Sequence, residues 1–438
     1  MKERVTRREW CGQITGILLS GGFPWTLSGK MSGTDGSLLR AQEPVKKDPW
    51  GDIPDLLIDR DRIQENLRKE PEYERNETLT RDGYQTGTIV VSRWRFGMRI
   101  EAIGDEFRKI RASTIVPARI EDEQEVLRGE TDVSDGASIS FRNLTDARQM
   151  RIYGQILLDG RTLRAIQEMT IHRILWPKPT DVRGLQIPVS SQLPIPQRKY
   201  LKPEKLIESE NPVIAAAAKR ITEDMKSFYP TDTNAPDVTG TDWRKVEEIY
   251  DWTRRQIRYE DNRGQTPYGA VETLRKGVGD CDEITYLFVA LCRFLGIPAR
   301  QVQVPDHCYP EFAMVDESGK LRWYPCQSAG TRAFGEMPDG RPIIGKGDQA
   351  MAQSPVSGTS RNRQGGRLRP VLVCERISEE PPVPFDPESF DTNAYAAAAR
   401  ASSDEKRPGN GKRDGEGDGK NGADVTVPGG RTRASGAK

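Results

Sequence analysis

Short runs of alternating apolar and polar residues fill the stretch from Tyr84 to Trp176: Thr88-Ile89-Val90-Val91, Arg99-Ile100-Glu101-Ala102-Ile103, Met150-Arg151-Ile152-Tyr153 and Ile166 to Ile174. Turn signals such as Asp135-Gly136 and Asp159-Gly160 separate them. A two-residue period bounded by turns predicts antiparallel strands, and the charged positions between strand residues fit one solvated face. Residues 83–178 are therefore expected to form an all-β domain, a sandwich. A connector carrying Pro177, Pro179, Pro188, Pro194 and Pro196 follows, and from about Tyr200 the period lengthens. Val213 to Phe228 and Trp243 to Ile257 read as helices; in the second, Val246, Ile249, Tyr250, Thr253 and Ile257 recur at three- and four-residue steps. A further helix after Cys281 places Ile284, Leu287, Phe288, Leu291, Phe294 and Leu295 on one face, and β-like segments run on to Cys374. The fold class this predicts is α+β, with the all-β domain ahead of a mixed domain at 198–376.

The two ends of the chain lack such patterning. Residues 42–82 are polar and punctuated by proline and glycine, and read as a linker. From Glu379 large apolar residues become sparse, and none of the residues from Ala401 to Lys438 is aromatic. Such a stretch buries too little apolar surface to offset its ordering entropy, so 379–438 is expected to be a disordered tail. At the other end, Lys2, Arg4, Arg7 and Arg8 precede a weakly apolar stretch from Trp10 to Trp25. The order Thr6-Arg7-Arg8-Glu9-Trp10 resembles a twin-arginine signal, which makes residues 1–41 an expected export signal and the protein an exported one. A cytoplasmic chain with a basic terminus is the alternative.

Composition narrows the partners. Hydrophobic residues make up 35% of the chain and charged residues 30%, a dilution that fits folded cores beside polar tracts. The formal net charge is +1, from 66 basic and 65 acidic side chains. No global field therefore recruits nucleic acid or an anionic membrane, and no run approaches the roughly 18 apolar residues of a membrane span. Six scattered cysteines without a CxxC pair do not make a disulfide framework. Only two histidines exist, His172 and His307, so histidine-dependent chemistry has two possible places. His172 lies in a β-run and reads as a half-exposed strand residue.

The densest chemistry lies in Gly277-Val-Gly-Asp-Cys281-Asp-Glu283 and the helix that follows it. Asp280 is placed as N-cap with Glu283 three residues on, a capping-box pattern; Gly296 and Pro298 mark the stop. Cys281 then falls in the first turn, where free backbone N–H groups and the positive end of the helix dipole stabilise a thiolate. Gly277 and Gly279 leave room for a substrate, while Asp280 and Asp282 oppose ionisation unless they are engaged. Cys292 falls near the core-facing stripe and reads as packing. Downstream, Asp306-His307-Cys308 through Val315, the turn Asp316 to Lys320, and Leu321 to Gln327 form a predicted β-hairpin. With the turn centred on Glu317, His307 faces Gln327 and Cys308 faces Cys326. A side-chain amide beside an imidazole can fix its tautomer. Glu311 reads equally as a buried structural carboxylate or a solvated strand residue. Cys308 and Cys326 read as a cross-hairpin pair or as reduced packing residues.

The run G-x-GDCDE, an apolar helix, GIPAR, and a hairpin with H-x-x-x-E and a Trp-led second strand resembles the transglutaminase-like superfamily from about Tyr200 to Arg376. The resemblance implies a papain-like Cys-His-Asp site on an α+β core, with acyl transfer through a thioester on a peptide or protein amide. It makes Cys281 the nucleophile and His307 the base. The third position, four after Trp323, is Gln327 where the family usually has Asp. The β-domain falls where many such proteins carry an immunoglobulin-like domain. The implied function is hydrolysis of an amide or transfer of its acyl group to an amine, with no cofactor. The backbone N–H of Cys281 would be one oxyanion donor; Tyr259, Tyr268 and Gln265 are candidates for the second. Two other readings stand beside it. A binding module that keeps the fold without the activity would account for Gln327. A zinc site of Cys281, His307, Cys308 and Cys326 is disfavoured, because neighbours 307 and 308 project to opposite strand faces and no knuckle is present.

Overall fold

The alternation in the first half of the chain folds into six strands: β1 (Thr88–Ile103), β2 (Phe107–Val116), β3 (Gln124–Val133), β4 (Ala137–Asn143), β5 (Arg148–Leu157) and β6 (Thr162–Leu175). In this computed structural model residues 85–144, 147–228, 241–262, 266–347, 355–362, 365–388 and 390–405 are described. The expected export signal (1–41) and linker (42–82) lie outside them. Along β1, every second residue from Trp94 through Phe96, Met98, Ile100 and Ala102 is buried, and their partners are Leu163, Ala165, Met169 and Ile171 of β6 with Phe107, Ile110, Met150 and Ile152 of β2 and β5. That is the period-two signature of a sheet with one dry face. Gly97 is required where β1 meets β6: its φ is +154° and a Cβ would lie 2.1 Å from the Ala165 carbonyl oxygen.

The helices and a second sheet come next: α1 (Pro212–Phe228), α2 (Asp242–Gln256), β7 (Arg258–Tyr259), α3 (Ala270–Lys276), β8 (Val278–Gly279), α4 (Cys281–Phe294), β9 (Ala299–Val304), β10 (His307–Val315), β11 (Leu321–Pro325) and β12 (Gly345–Lys346). The sheet order is β11-β10-β9-β12, and β7 pairs in parallel with β8. Helix α4 sits between this sheet and α1, α2 and α3. Its apolar residues occupy every side, with Tyr286, Leu287, Phe288, Val289, Ala290 and Leu291 all buried, so the one-faced helix expected from the pattern is a fully enclosed one.

Chain order and domain membership part company after β12. The strands β13 (Val356–Ser360) and β14 (Arg367–Glu379) follow, with β15 (Val383–Pro384) and α5 (Thr392–Glu405). β13 pairs with β2 and β14 with β1, giving two sheets ordered β13-β2-β5-β4 and β14-β1-β6-β3, with β15 beside β1. The expected boundary at Arg376 is therefore corrected: the chain leaves the mixed unit after β12 and returns to complete the β-unit. Local periodicity carries no information on which sheet an edge strand joins. The expectation of a structureless stretch from 379 is corrected up to residue 405. Here β15 and α5 cover the outer face of β1 and β6, where Ile89, Val91 and Ile174 pack with Trp176, Phe385, Phe390 and Tyr395. This cover also explains His172, which is buried rather than half-exposed, its Nδ1 3.0 Å from the Tyr395 hydroxyl.

The two units meet through polar groups. Gln124 exchanges two hydrogen bonds with the main chain of Ile343, at 2.7 and 2.9 Å. Arg173 of β6 donates to the Tyr309 hydroxyl at 3.2 Å, and Lys346 bridges Glu123 and the buried Glu311. Glu311 is thus a structural carboxylate; Arg300 Nε also donates to it, at 2.5 Å.

Candidate active site

Cys281 is the first residue of α4, and the local sequence dictates why. The Asp280 carboxylate accepts the Asp282 N–H at 2.9 Å, and Glu283 accepts the Asp280 N–H at 2.8 Å, closing the predicted capping box. Those bonds leave the Cys281 N–H without a partner among the described residues, next to its own sulfur. At the far end Gly296 has φ +78°, and the Gly296 and Ile297 N–H groups bond back to Arg293 and Cys292, a Schellman stop. The glycines before the helix serve local structure. Gly277 ends α3 in the left-handed region, and a Cβ on Gly279 would lie 2.8 Å from that of Glu283.

His307 begins β10 after a two-residue turn, Pro305-Asp306, in which Asp306 takes φ +59°. Arg341 clamps this turn: its Nη1 donates to the Pro305 carbonyl at 2.8 Å while Asp339 holds its guanidinium. The hairpin register differs from the expected one. Phe312 faces Tyr324 and Val315 faces Leu321, so the turn centres on Ser318, one residue later, and every pairing moves by two. A shift of two preserves the face on which each side chain stands. His307 and Gln327 therefore still share a side, and Gln327 Oε1 lies 2.9 Å from His307 Nε2. Cys308 no longer opposes Cys326. Both are free thiols, and Cys326 Sγ lies 3.8 Å from the Pro310 carbonyl oxygen.

The structure thus gathers Cys281, His307 and Gln327. All three are nearly closed off, at 9%, 2% and 4% exposure. Gln327 Oε1 accepts from Nε2–H, which leaves Nδ1 as the atom that exchanges a proton with sulfur. That Nδ1 is buried with no hydrogen-bond partner among the described residues, and the charge of the Cys281 thiolate acts on the ring.

The Cys281 thiol is held well below the usual range, first by the Cys308 side chain and next, against the cost of burial, by the His307 side chain and its charge. Burial pulls the His307 imidazole down, but the Cys281 side chain and its thiolate charge raise it overall. The two shifts favour a thiolate–imidazolium pair. Burial pushes the neighbouring Asp280 up to about 10 and Asp282 up to about 7, so each opposes the thiolate less than an ordinary carboxylate would. An Asp280 carried as the neutral acid adds no negative charge beside the sulfur.

Gln327 is itself held from α2. Its carbonyl accepts the Tyr250 hydroxyl at 2.7 Å and Arg254 Nη1 at 3.0 Å, and the same guanidinium reaches the Gly330 carbonyl at 2.8 Å. Sequence reading passes over Arg254, Arg341, Asp339 and the contact of Cys308 with Cys281. Arg254, Arg341 and Cys308 reach main-chain atoms remote in sequence, which leave no spacing to detect, and Asp339 acts only through Arg341. Of the proposed second oxyanion donors, Tyr268 donates to the Val278 carbonyl at 2.8 Å, Tyr259 pairs with Gly279 across β7 and β8, and Gln265 lies outside the described residues. A cavity of about 220 Å³ opens on the β-unit among Arg95, Arg99, Glu130, Thr131, Asp132, Ile166 and Glu168, and none of the three gathered residues lines it.

A helix-initial cysteine and a strand histidine bonded to a side-chain amide lie in the same α+β unit. Residues 231–328 match the model of the Transglutaminase-like superfamily. Among solved structures the chain is similar to "a Putative Cysteine Protease from Cytophaga hutchinsonii", at 16% identity over 70% of this chain and 96% of that one, with a TM-score of 0.45. It is also similar to "a putative protease from Parabacteroides distasonis ATCC 8503", at 13% identity over 53% of this chain and 47% of that one, with a TM-score of 0.18. No curated protein matches the chain significantly. Among the described residues no helix is long and apolar enough to cross a membrane.

Proposed function

We propose that the protein is a thiol enzyme that transfers an acyl group from a peptide or protein amide through a thioester on Cys281. The observation that carries this reading is the bond between His307 Nε2 and Gln327 Oε1 at 2.9 Å, because it leaves the buried Nδ1 of the same ring available for proton exchange with Cys281. The Cys281 thiolate attacks the amide carbon, and its own backbone N–H donates to the oxyanion that develops. The imidazolium returns its proton to the leaving amine. Water or an amine, deprotonated by the neutral imidazole, then releases the acyl group. Gln327 orients the ring but contributes no charge, so the ion pair rests on the thiolate itself. The basic-then-apolar N-terminus supports an exported location for this chemistry.

The experiment is a screen of peptide and amide substrates against the wild type and Cys281→Ala, with intact-mass detection of an acyl-enzyme. Activity and the acyl adduct should both vanish in Cys281→Ala. No turnover by either protein would leave the domain a peptide-binding module, and equal turnover by both would remove Cys281 from the chemistry.

A further inference from the structure

Cys308 passes no proton in the acyl chemistry just described, although it helps to hold the Cys281 thiol low, and its sulfur lies beside Cys281. Cys308 Sγ donates to the Cys281 carbonyl oxygen at 3.5 Å, which sets its sulfur beside the residue that carries the nucleophile. The pair joins the first turn of α4 to the start of β10, two elements fixed by the core rather than by loops. Cys308 is fully buried, whereas Cys281 keeps a 9% opening to solvent. The other described cysteines stand elsewhere. Cys292 packs inside α4, Cys326 faces Pro310 and Cys374 lies on β14.

We propose that Cys281 and Cys308 form a peroxide-sensing dithiol, in which Cys308 resolves the oxidised nucleophile into a reversible disulfide that silences the site. The silencing rests on the acyl-transfer reading; the disulfide itself rests on the 3.5 Å approach of Cys308 Sγ to the Cys281 main chain. A hydroperoxide meets Cys281 first, because Cys308 is sealed from solvent completely. The thiolate attacks the peroxide oxygen, the O–O bond breaks, and the products are a Cys281 sulfenic acid and a hydroxide or alkoxide. The Cys308 sulfur then attacks the Cys281 sulfur, the S–O bond breaks, and water leaves with the Cys308 proton. Two electrons have passed from the two sulfurs to the peroxide. A small dithiol reverses the step by exchange. Without Cys308, the sulfenic acid has no thiol beside it and proceeds to the sulfinic acid, which a dithiol does not reduce. The arrangement both stops and protects the nucleophile.

The test treats the full chain with hydrogen peroxide, blocks remaining thiols with N-ethylmaleimide and maps peptides without reduction. The expected result in the wild type is a Cys281–Cys308 cross-link that dithiothreitol removes, with recovery of both thiols. Cys308→Ser and Cys308→Ala should instead accumulate sulfinic acid at Cys281 that dithiothreitol leaves in place. The wild-type map decides by itself if neither variant folds. Sulfinic acid at Cys281 of the wild type with no cross-link to Cys308 overturns this proposal alone. A Cys281 that peroxide leaves reduced overturns both the dithiol and the reactive thiolate on which the acyl-transfer reading depends.

Discussion

At Gln327 a neutral amide holds the imidazole that must cycle between its neutral and charged forms. The amide oxygen fixes the tautomer, and a carboxylate in its place would add a charge. Gln327→Ala should therefore lower kcat roughly 10- to 100-fold, within the range of positioned acid–base catalysis, with KM little changed. Gln327→Asp should raise the His307 pKa further and move the alkaline limb of the pH–rate profile upward. A wild-type kcat in Gln327→Ala would assign orientation to another group. Asp282 gives a pH effect of defined sign. Its folded-state pKa of about 7 lies above its ordinary value of 3.8, so between these values the folded protein holds a proton that the unfolded chain has lost. Stability is full below that window and falls as pH rises through it; Asp280 acts in the same sense. Asp282→Asn should flatten the fall in melting temperature between pH 5 and pH 8. An unchanged slope would show that Asp282 titrates normally.

Among the elements, α2 and the loop after β11 act as one device. Tyr250 and Arg254 stand one turn apart on α2 and take the carbonyls of Gln327 and Gly330, which fixes the loop from behind while Gln327 faces His307. Arg254→Met removes the guanidinium bonds. It should lower kcat several-fold at constant KM, with Arg254→Lys recovering part of the loss; a change in KM alone would place Arg254 in substrate binding instead. The capping box and Schellman stop of α4 were legible because they are set by residues within one turn of each other. The hairpin register was legible only in parity. Its turn centre depends on how Asp316 folds the loop, with its carboxylate accepting the Ser318 and Lys320 N–H groups, and this shifts pairing by whole residues. Because the shift was even, the faces survived and Gln327 was found beside His307.

For the molecule as a whole, the returning strands and α5 tie the end of the chain to its first unit. Arg400 pairs with Glu125 at 2.6 Å, Tyr395 meets His172, and Ala396 and Ala399 are buried. Removing residues 392–438 should uncover the face formed by Ile89, Val91 and Ile174 and lower the melting temperature by several degrees, since about 1 kcal/mol corresponds to roughly 2–4 °C in a domain of 150–250 residues. No change would mean that α5 does not dock in solution. Replacing Arg7 and Arg8 together with lysine keeps the charge and should abolish export of a reporter fused to residues 1–41. Unchanged export would leave a basic terminus without that role.

The sequence by itself determined what depends on neighbours along the chain. The strand period of β1 to β6, the caps of α4 and the cysteine at its start all follow from residues a few positions apart, where backbone geometry leaves few choices. Tertiary structure alone decided which sheet received β13 and β14, that α5 covers His172, and that Arg254 and Arg341 clamp the loops beside the site. It also brought Cys308 to the nucleophile. Those pairings form because remote surfaces must bury apolar area and satisfy polar groups together, a condition on the whole fold that no local spacing records.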